Sequence, residues 1–208
     1  QAVRHLAGDR TGLVAGDTAG TLWSRPTQAC ASPFDGQRGR GPGQLAEPRG
    51  LALSPDGIMV VADAMNHRLQ FLSPSGICLG TVGEEGDLPG AFREPSSVAW
   101  SDDGRLAVTD TWNGRVQILD ADGAQPIAID ANFYGPRAAL WLDASRLLVS
   151  DTGNKRLTLC SGPRWSCTTV VRFDAPPVGL AQVDTGEIAV ALPAAGILAM
   201  VDLEQDIV

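Results

Sequence analysis

Apolar residues fall in short runs that alternate with polar ones, as in "RLQFL" (Arg68–Leu72) and "RVQIL" (Arg115–Leu119), and the runs are closed by Gly, Pro, Asp or Asn. That period of two is expected of a β-strand with two unlike faces, and no segment sustains a helical period. An all-β chain of many short strands is therefore predicted. The 24 Gly and 14 Pro agree with frequent turns, and a composition 44% hydrophobic and 19% charged is globular rather than disordered.

Three segments are one pattern: "VVADAMNHRLQFL", "AVTDTWNGRVQIL" and "LVSDTGNKRLTLC". Each reads apolar-apolar-x-Asp-x-x-Asn-x-Arg, followed by alternating apolar residues. The aspartates, Asp63, Asp110 and Asp151, are 47 and 41 residues apart, the length of one four-stranded propeller blade. Upstream of each lies a matching strand-and-turn segment, "EPRGLALSPDG", "EPSSVAWSDDG" and "GPRAALWLDAS". Weaker copies flank these three. Asp17 stands 46 residues before Asp63 with the Asn and Arg missing, and Leu192 takes the aspartate's place 41 residues after Asp151.

On these motifs the sequence resembles the NHL-repeat β-propellers. Among the central modules the first carries Pro-x-Gly-hydrophobic-Ala in "PRGLA", the first two carry Asp-Gly, and all three carry Asp-x-x-Asn-x-Arg. The resemblance implies a ring of blades, most often six, usually a platform for proteins or RNA, with a minority of lyases and hydrolase-like relatives. The expectation is one domain of about five four-stranded blades, with modules at 1–33, 34–82, 83–127, 128–171 and 172–208. A six-bladed ring with one blade missing or supplied elsewhere is the other arrangement.

The repeated residues Asp63, Asn66, Arg68, Asp110, Asn113, Arg115, Asp151, Asn154 and Arg156 read as architecture. A carboxylate can organise a turn, an Arg can pair with it bidentately, and site-specific chemistry has no need to recur in every blade. The slots between them vary and read as free of the turn's demands: Met65 and His67, Trp112 and Gly114, Gly153 and Lys155. Met and aromatic side chains, with Arg, are enriched at protein-binding surfaces. Trp112, Met65, His67 and Lys155, with Arg38 and Arg40 of the connection "GQRGRGPG", are therefore the expected partner-binding residues. Trp112 as a cover on its neighbouring blade is the alternative. Trp100 and Trp141, at matching inner-strand positions, read as packing between blades, while Trp23 and Trp165 say less.

A net charge of −8, with Lys155 the single lysine, argues against nucleic acid as a partner. No run approaches the ~18–20 apolar residues that span a bilayer, so a soluble chain is expected. Two histidines, His5 and His67, without recurrent carboxylate or cysteine spacing, give no metal motif, and no nucleophile elbow or phosphate loop is present. No catalytic residue, metal or cofactor is expected. The cysteines form no C-x-x-C pair. Cys160 and Cys167 flank the turn-like "SGPRWS" and can form a cross-hairpin disulfide or remain thiols. The chain begins at Gln1 rather than Met, so an upstream segment is expected. With the Cys160/Cys167 spacing, this favours an extracytoplasmic location, secreted or periplasmic, over the cytoplasm.

The function expected is a non-catalytic β-propeller scaffold or protein–protein interaction module. It would be a domain or subunit of a larger assembly and would bind through the face that carries the Asp-x-x-Asn-x-Arg loops. The alternative is a propeller lyase or hydrolase with an axial active site.

Overall fold

The computed structural model describes residues 28–29, 37–54, 57–119, 126–184 and 186–203. His5, Asp17, Trp23, Cys30 and Asp56, and with them most of the first module, lie outside the described residues.

Among the described residues sixteen strands follow in order: β1 (Gln28–Ala29), β2 (Pro48–Leu53), β3 (Met59–Asp63), β4 (Arg68–Leu72), β5 (Cys78–Val82), β6 (Pro95–Trp100), β7 (Leu106–Asp110) and β8 (Arg115–Leu119). They continue with β9 (Ile127–Ile129), β10 (Ala138–Asp143), β11 (Arg146–Asp151), β12 (Arg156–Ser161), β13 (Ser166–Arg172), β14 (Gly179–Asp184), β15 (Glu187–Leu192) and β16 (Ile197–Asp202). They form four antiparallel sheets, ordered β1-β5-β4-β3-β2, β6-β7-β8-β9, β10-β11-β12-β13 and β14-β15-β16. In each, successive strands are neighbours, which short turns permit only for antiparallel pairs. Two strands depart from the expected module limits. β1 precedes residue 34 yet pairs with the outer edge of the next sheet, and β9 straddles the 127/128 boundary.

The sheets pack face to face in sequence order. Val60, Ala62, Leu69 and Phe71 of the first described sheet meet Val98, Leu106 and Val108 of the second. Ala107, Val116 and Ile118 on the second sheet's other face meet Trp141, Leu147 and Val149 of the third. Leu148 and Leu157 then meet Ile188, Val190 and Val201 of the fourth. Both faces of a middle strand are thereby buried, and every residue of β7 is. This corrects the expectation of unlike faces. The polar members of the alternation, Gln70 and Gln117, are fully buried, because a blade between two neighbours has no solvent face.

Close approach between inner strands explains the glycine of "PRGLAL". A Cβ on Gly50 would lie 2.7 Å from Ser97 Cα and 2.8 Å from Ser96 O, so β2 and β6 come together only where the side chain is absent. Trp141 is buried and its Nε1 donates to Ala99 O at 3.0 Å, joining the second and third sheets. Arg105 lies 5.0 Å from the Trp141 ring centroid and 6.0 Å from that of Trp165. The two indoles meet edge to face at 5.7 Å. Beside them Cys160 and Cys167, opposite each other across β12 and β13, are disulfide-bonded.

Candidate functional site

Each Asp-x-x-Asn-x-Arg loop turns tightly between the second and third strands of its sheet. In the first two copies the turn is one 3-10 helix, Ala64–Asn66 and Thr111–Asn113. The aspartate before it does not cap its own turn. Its Oδ1 accepts instead from the connection that enters the same sheet: Asp63 from Ala46 N at 2.7 Å, Asp110 from Arg93 N at 2.7 Å and Asp151 from Tyr134 N at 2.8 Å. Oδ2 accepts from the Asn Nδ2 at 2.8, 2.9 and 2.8 Å and from the Arg Nε at 2.9, 2.7 and 2.6 Å.

The Asn and Arg side chains reach the connection as well. Asn113 Nδ2 donates to Gly86 O, and the Arg115 guanidinium donates to the carbonyls of Asp87, Leu88 and Ala91. The Arg–Asp pair is therefore made through Nε alone, not through the two-pronged fork expected, because the terminal nitrogens are committed to carbonyls. All three carboxylates are removed from solvent, and charge-assisted bonds on both oxygens offset that desolvation. Sequence reasoning missed a further member. Gln70 Nε2 and Gln117 Nε2 each donate to the aspartate's Oδ2 at 3.0 Å, and both stood in the sequence two residues beyond the repeated Arg. The third copy has Thr158 there, and its Oγ1 has no hydrogen-bond partner.

The variable slots divide. The one after Asn is set by the backbone: His67, Gly114 and Lys155 all take left-handed φ, 56°, 63° and 52°, which corrects the reading that the turn leaves them free. His67 also accepts the Glu94 N–H at Nδ1, 3.1 Å away, and so ties its loop to the next connection. The slot before Asn holds the surface residues. Met65 is half-buried, Trp112 is 55% exposed, and Gly153 has no room for a side chain. A Cβ on Gly153 would meet Tyr134 Cδ1 at 2.2 Å. Tyr134, the sole tyrosine, is 67% exposed and Leu88 is 72% exposed; both stand on connections bonded to these loops.

A groove of about 970 Å³ runs between Met65, Asn66 and His67 on one side and Gly83–Ala91 on the other, with Arg40 and Arg68 in its lining. It gathers Met65, His67 and Arg40 from the expected binding residues. Trp112, Lys155 and Arg38 are exposed outside it. Among the described residues no group of three or more His, Cys, Asp or Glu is placed to hold a metal, and no helix is long and apolar enough to cross a membrane.

The radial packing of antiparallel sheets defines a β-propeller fold. Residues 92–119, the second full copy of the motif, match the NHL repeat, and the fold is that of the β-propellers. Among solved structures it is similar to a streptogramin B lyase (17% identity, 78% of this chain and 56% of that one, TM-score 0.56). It is also similar to a chain of a nidogen/laminin complex (17% identity, 74% and 64%, TM-score 0.57). A third is a protein of unknown function from Bacteroides caccae (16% identity, 78% and 65%, TM-score 0.59). The matches take in less than two thirds of the length of each of these chains. No curated protein matches the sequence.

Proposed function

We propose that this propeller is a non-catalytic interaction module that binds a protein partner through the face carrying its Asp-x-x-Asn-x-Arg loops. The observation that carries the reading is the set of apolar side chains exposed there, Leu88, Trp112 and Tyr134, held on loops and connections fixed by buried hydrogen bonds. Rigid exposed aromatics lose little entropy on contact and suit a hot spot. One structural neighbour comes from a protein complex, which supports the same reading. The Cys160–Cys167 disulfide supports an oxidising, extracytoplasmic location.

Copurification with the intact chain, followed by mass spectrometry, identifies the partner. Trp112→Ala and Tyr134→Ala each weaken that complex by more than about 1 kcal/mol with little change in thermal unfolding. Asp103→Asn, in the Asp-Gly turn of the opposite face, leaves it unaltered. A partner seated on the Asp-Gly turns rejects the proposal, and full affinity in Trp112→Ala removes Trp112 from its binding surface. A streptogramin B lyase shares the fold; turnover by this chain of a substrate held at the propeller axis would establish the enzymatic alternative.

A further inference from the structure

We propose that the groove between the Met65–His67 loop and the Gly83–Ala91 connection takes an arginine or lysine side chain from the partner polypeptide. This rests on the loop-face reading above and adds the chemistry of what is recognised.

The groove has two kinds of wall. Met65 and Leu88 give it apolar surface, and Glu84, Glu85 and Asp87 give it carboxylates, all three exposed. Among the described residues Glu84 and Asp87 make no ion pair, and Glu85 comes no nearer to a basic nitrogen than 4.0 Å, at His67 Nε2. His67 is not a strong counter-ion there. Its Nδ1 accepts the Glu94 N–H, so the ring's proton sits on Nε2 as a single donor at the groove wall.

The groove's own cations leave this charge uncompensated. Arg68 is spent on Asp63 and on the carbonyls of Gly41 and Gln44, and its side chain is 12% exposed. Arg40 alone among the lining residues is a cation without such commitments. Three carboxylates thus face one available guanidinium across a concave space. An incoming arginine or lysine can lay its aliphatic stem along Met65 and Leu88 and place its charged end among the carboxylates. A phosphate-bearing partner would meet repulsion from the same three groups.

Fluorescence anisotropy on the intact chain tests this with four labelled probes: the peptides Leu-Arg-Leu-Arg-Leu, Leu-Gln-Leu-Gln-Leu and Leu-Glu-Leu-Glu-Leu, and a uridine decamer. The arginine peptide binds at least about tenfold more tightly than the others, and its affinity falls as NaCl rises from about 0.05 to about 0.5 M. The combined Glu84→Gln, Glu85→Gln and Asp87→Asn variant loses about tenfold or more, while Asp102→Asn, Asp174→Asn and Glu187→Gln together, exposed carboxylates elsewhere, change it little. Each triple removes three negative charges, taking the formal net charge from −8 to −5, so the pair separates a site from diffuse attraction. Met65→Lys, which supplies a cation from the groove's own wall, also abolishes binding. Equal affinity for the arginine and glutamine peptides, equal loss in both triples, or preference for the uridine decamer overturns the proposal. Trp112→Ala distinguishes the two readings: full partner affinity in that variant with the groove triple still defective removes the Trp112 patch alone, and the converse removes the groove alone.

Discussion

Arg115 Nε lies 2.7 Å from Asp110 Oδ2, and that carboxylate is wholly buried although it stands at the edge of an exposed loop. Its burial is what couples the loop to the connection, since the same aspartate holds Arg93 N and the same arginine holds three carbonyls of the Asp87–Ala91 stretch.

Removing that carboxylate leaves a guanidinium, two amides and a backbone N–H without their acceptor. Asp110→Ala therefore destabilises the protein by about 3–5 kcal/mol, and Asn113→Ala, which removes one amide, by about 1 kcal/mol. Chemical denaturation of the two variants checks the order, and equal small losses would show that the network is not cooperative.

Gly153 and Tyr134 form a second coupled pair. A methyl at position 153 would lie 2.2 Å from Tyr134 Cδ1 and 2.5 Å from Tyr134 O, so Gly153→Ala costs about 1–3 kcal/mol through overpacking. Adding Tyr134→Ala recovers only part of that cost, because the carbonyl remains. Thermal unfolding of the single and double variants measures the remainder.

The disulfide closes a short segment, seven residues in sequence separation, against the buried Trp141 and Trp165 cluster. Replacing both cysteines by serine lowers stability by about 2–3 kcal/mol on the loop-entropy argument. In denaturant without reductant, Cys160 and Cys167 resist alkylation, as peptide mapping of the labelled sites would show.

Two surface aspartates predict an acid-side loss of stability. The Arg146 side chain, then the Ser145 N–H, hold the Asp143 carboxyl at about 2, and chiefly the Arg105 side chain holds that of Asp103 below the ordinary carboxylate value. A folded-state pKa below the unfolded one stabilises the fold at pH above the unfolded value, and that contribution disappears as pH falls through the folded one. For Asp143 the window runs from the ordinary carboxylate value of 3.8 down to about 2. Melting temperatures taken between about pH 5 and about pH 2 fall less steeply in Asp143→Asn than in the unaltered protein, and added salt narrows the difference because the pair is exposed.

The alternation around Arg68–Leu72 and Arg115–Leu119, and the recurrence of Asp63, Asp110 and Asp151, determined strands, turns and the blade-length repeat, because strand period and turn chemistry are local properties of the chain. The same local reading grouped Met65, His67 and Trp112 as expected binding residues. It could not reveal that Gln70 and Gln117 are buried, since a polar residue in an alternating strand signals solvent unless a second sheet covers it. Nor could it show that His67 reaches Glu94 N, that Tyr134 covers Gly153, or that Met65 shares a groove with Glu84, Glu85 and Asp87 apart from Trp112. Each of those relationships joins residues from different blades or connections, and the packing of one sheet on the next decides them.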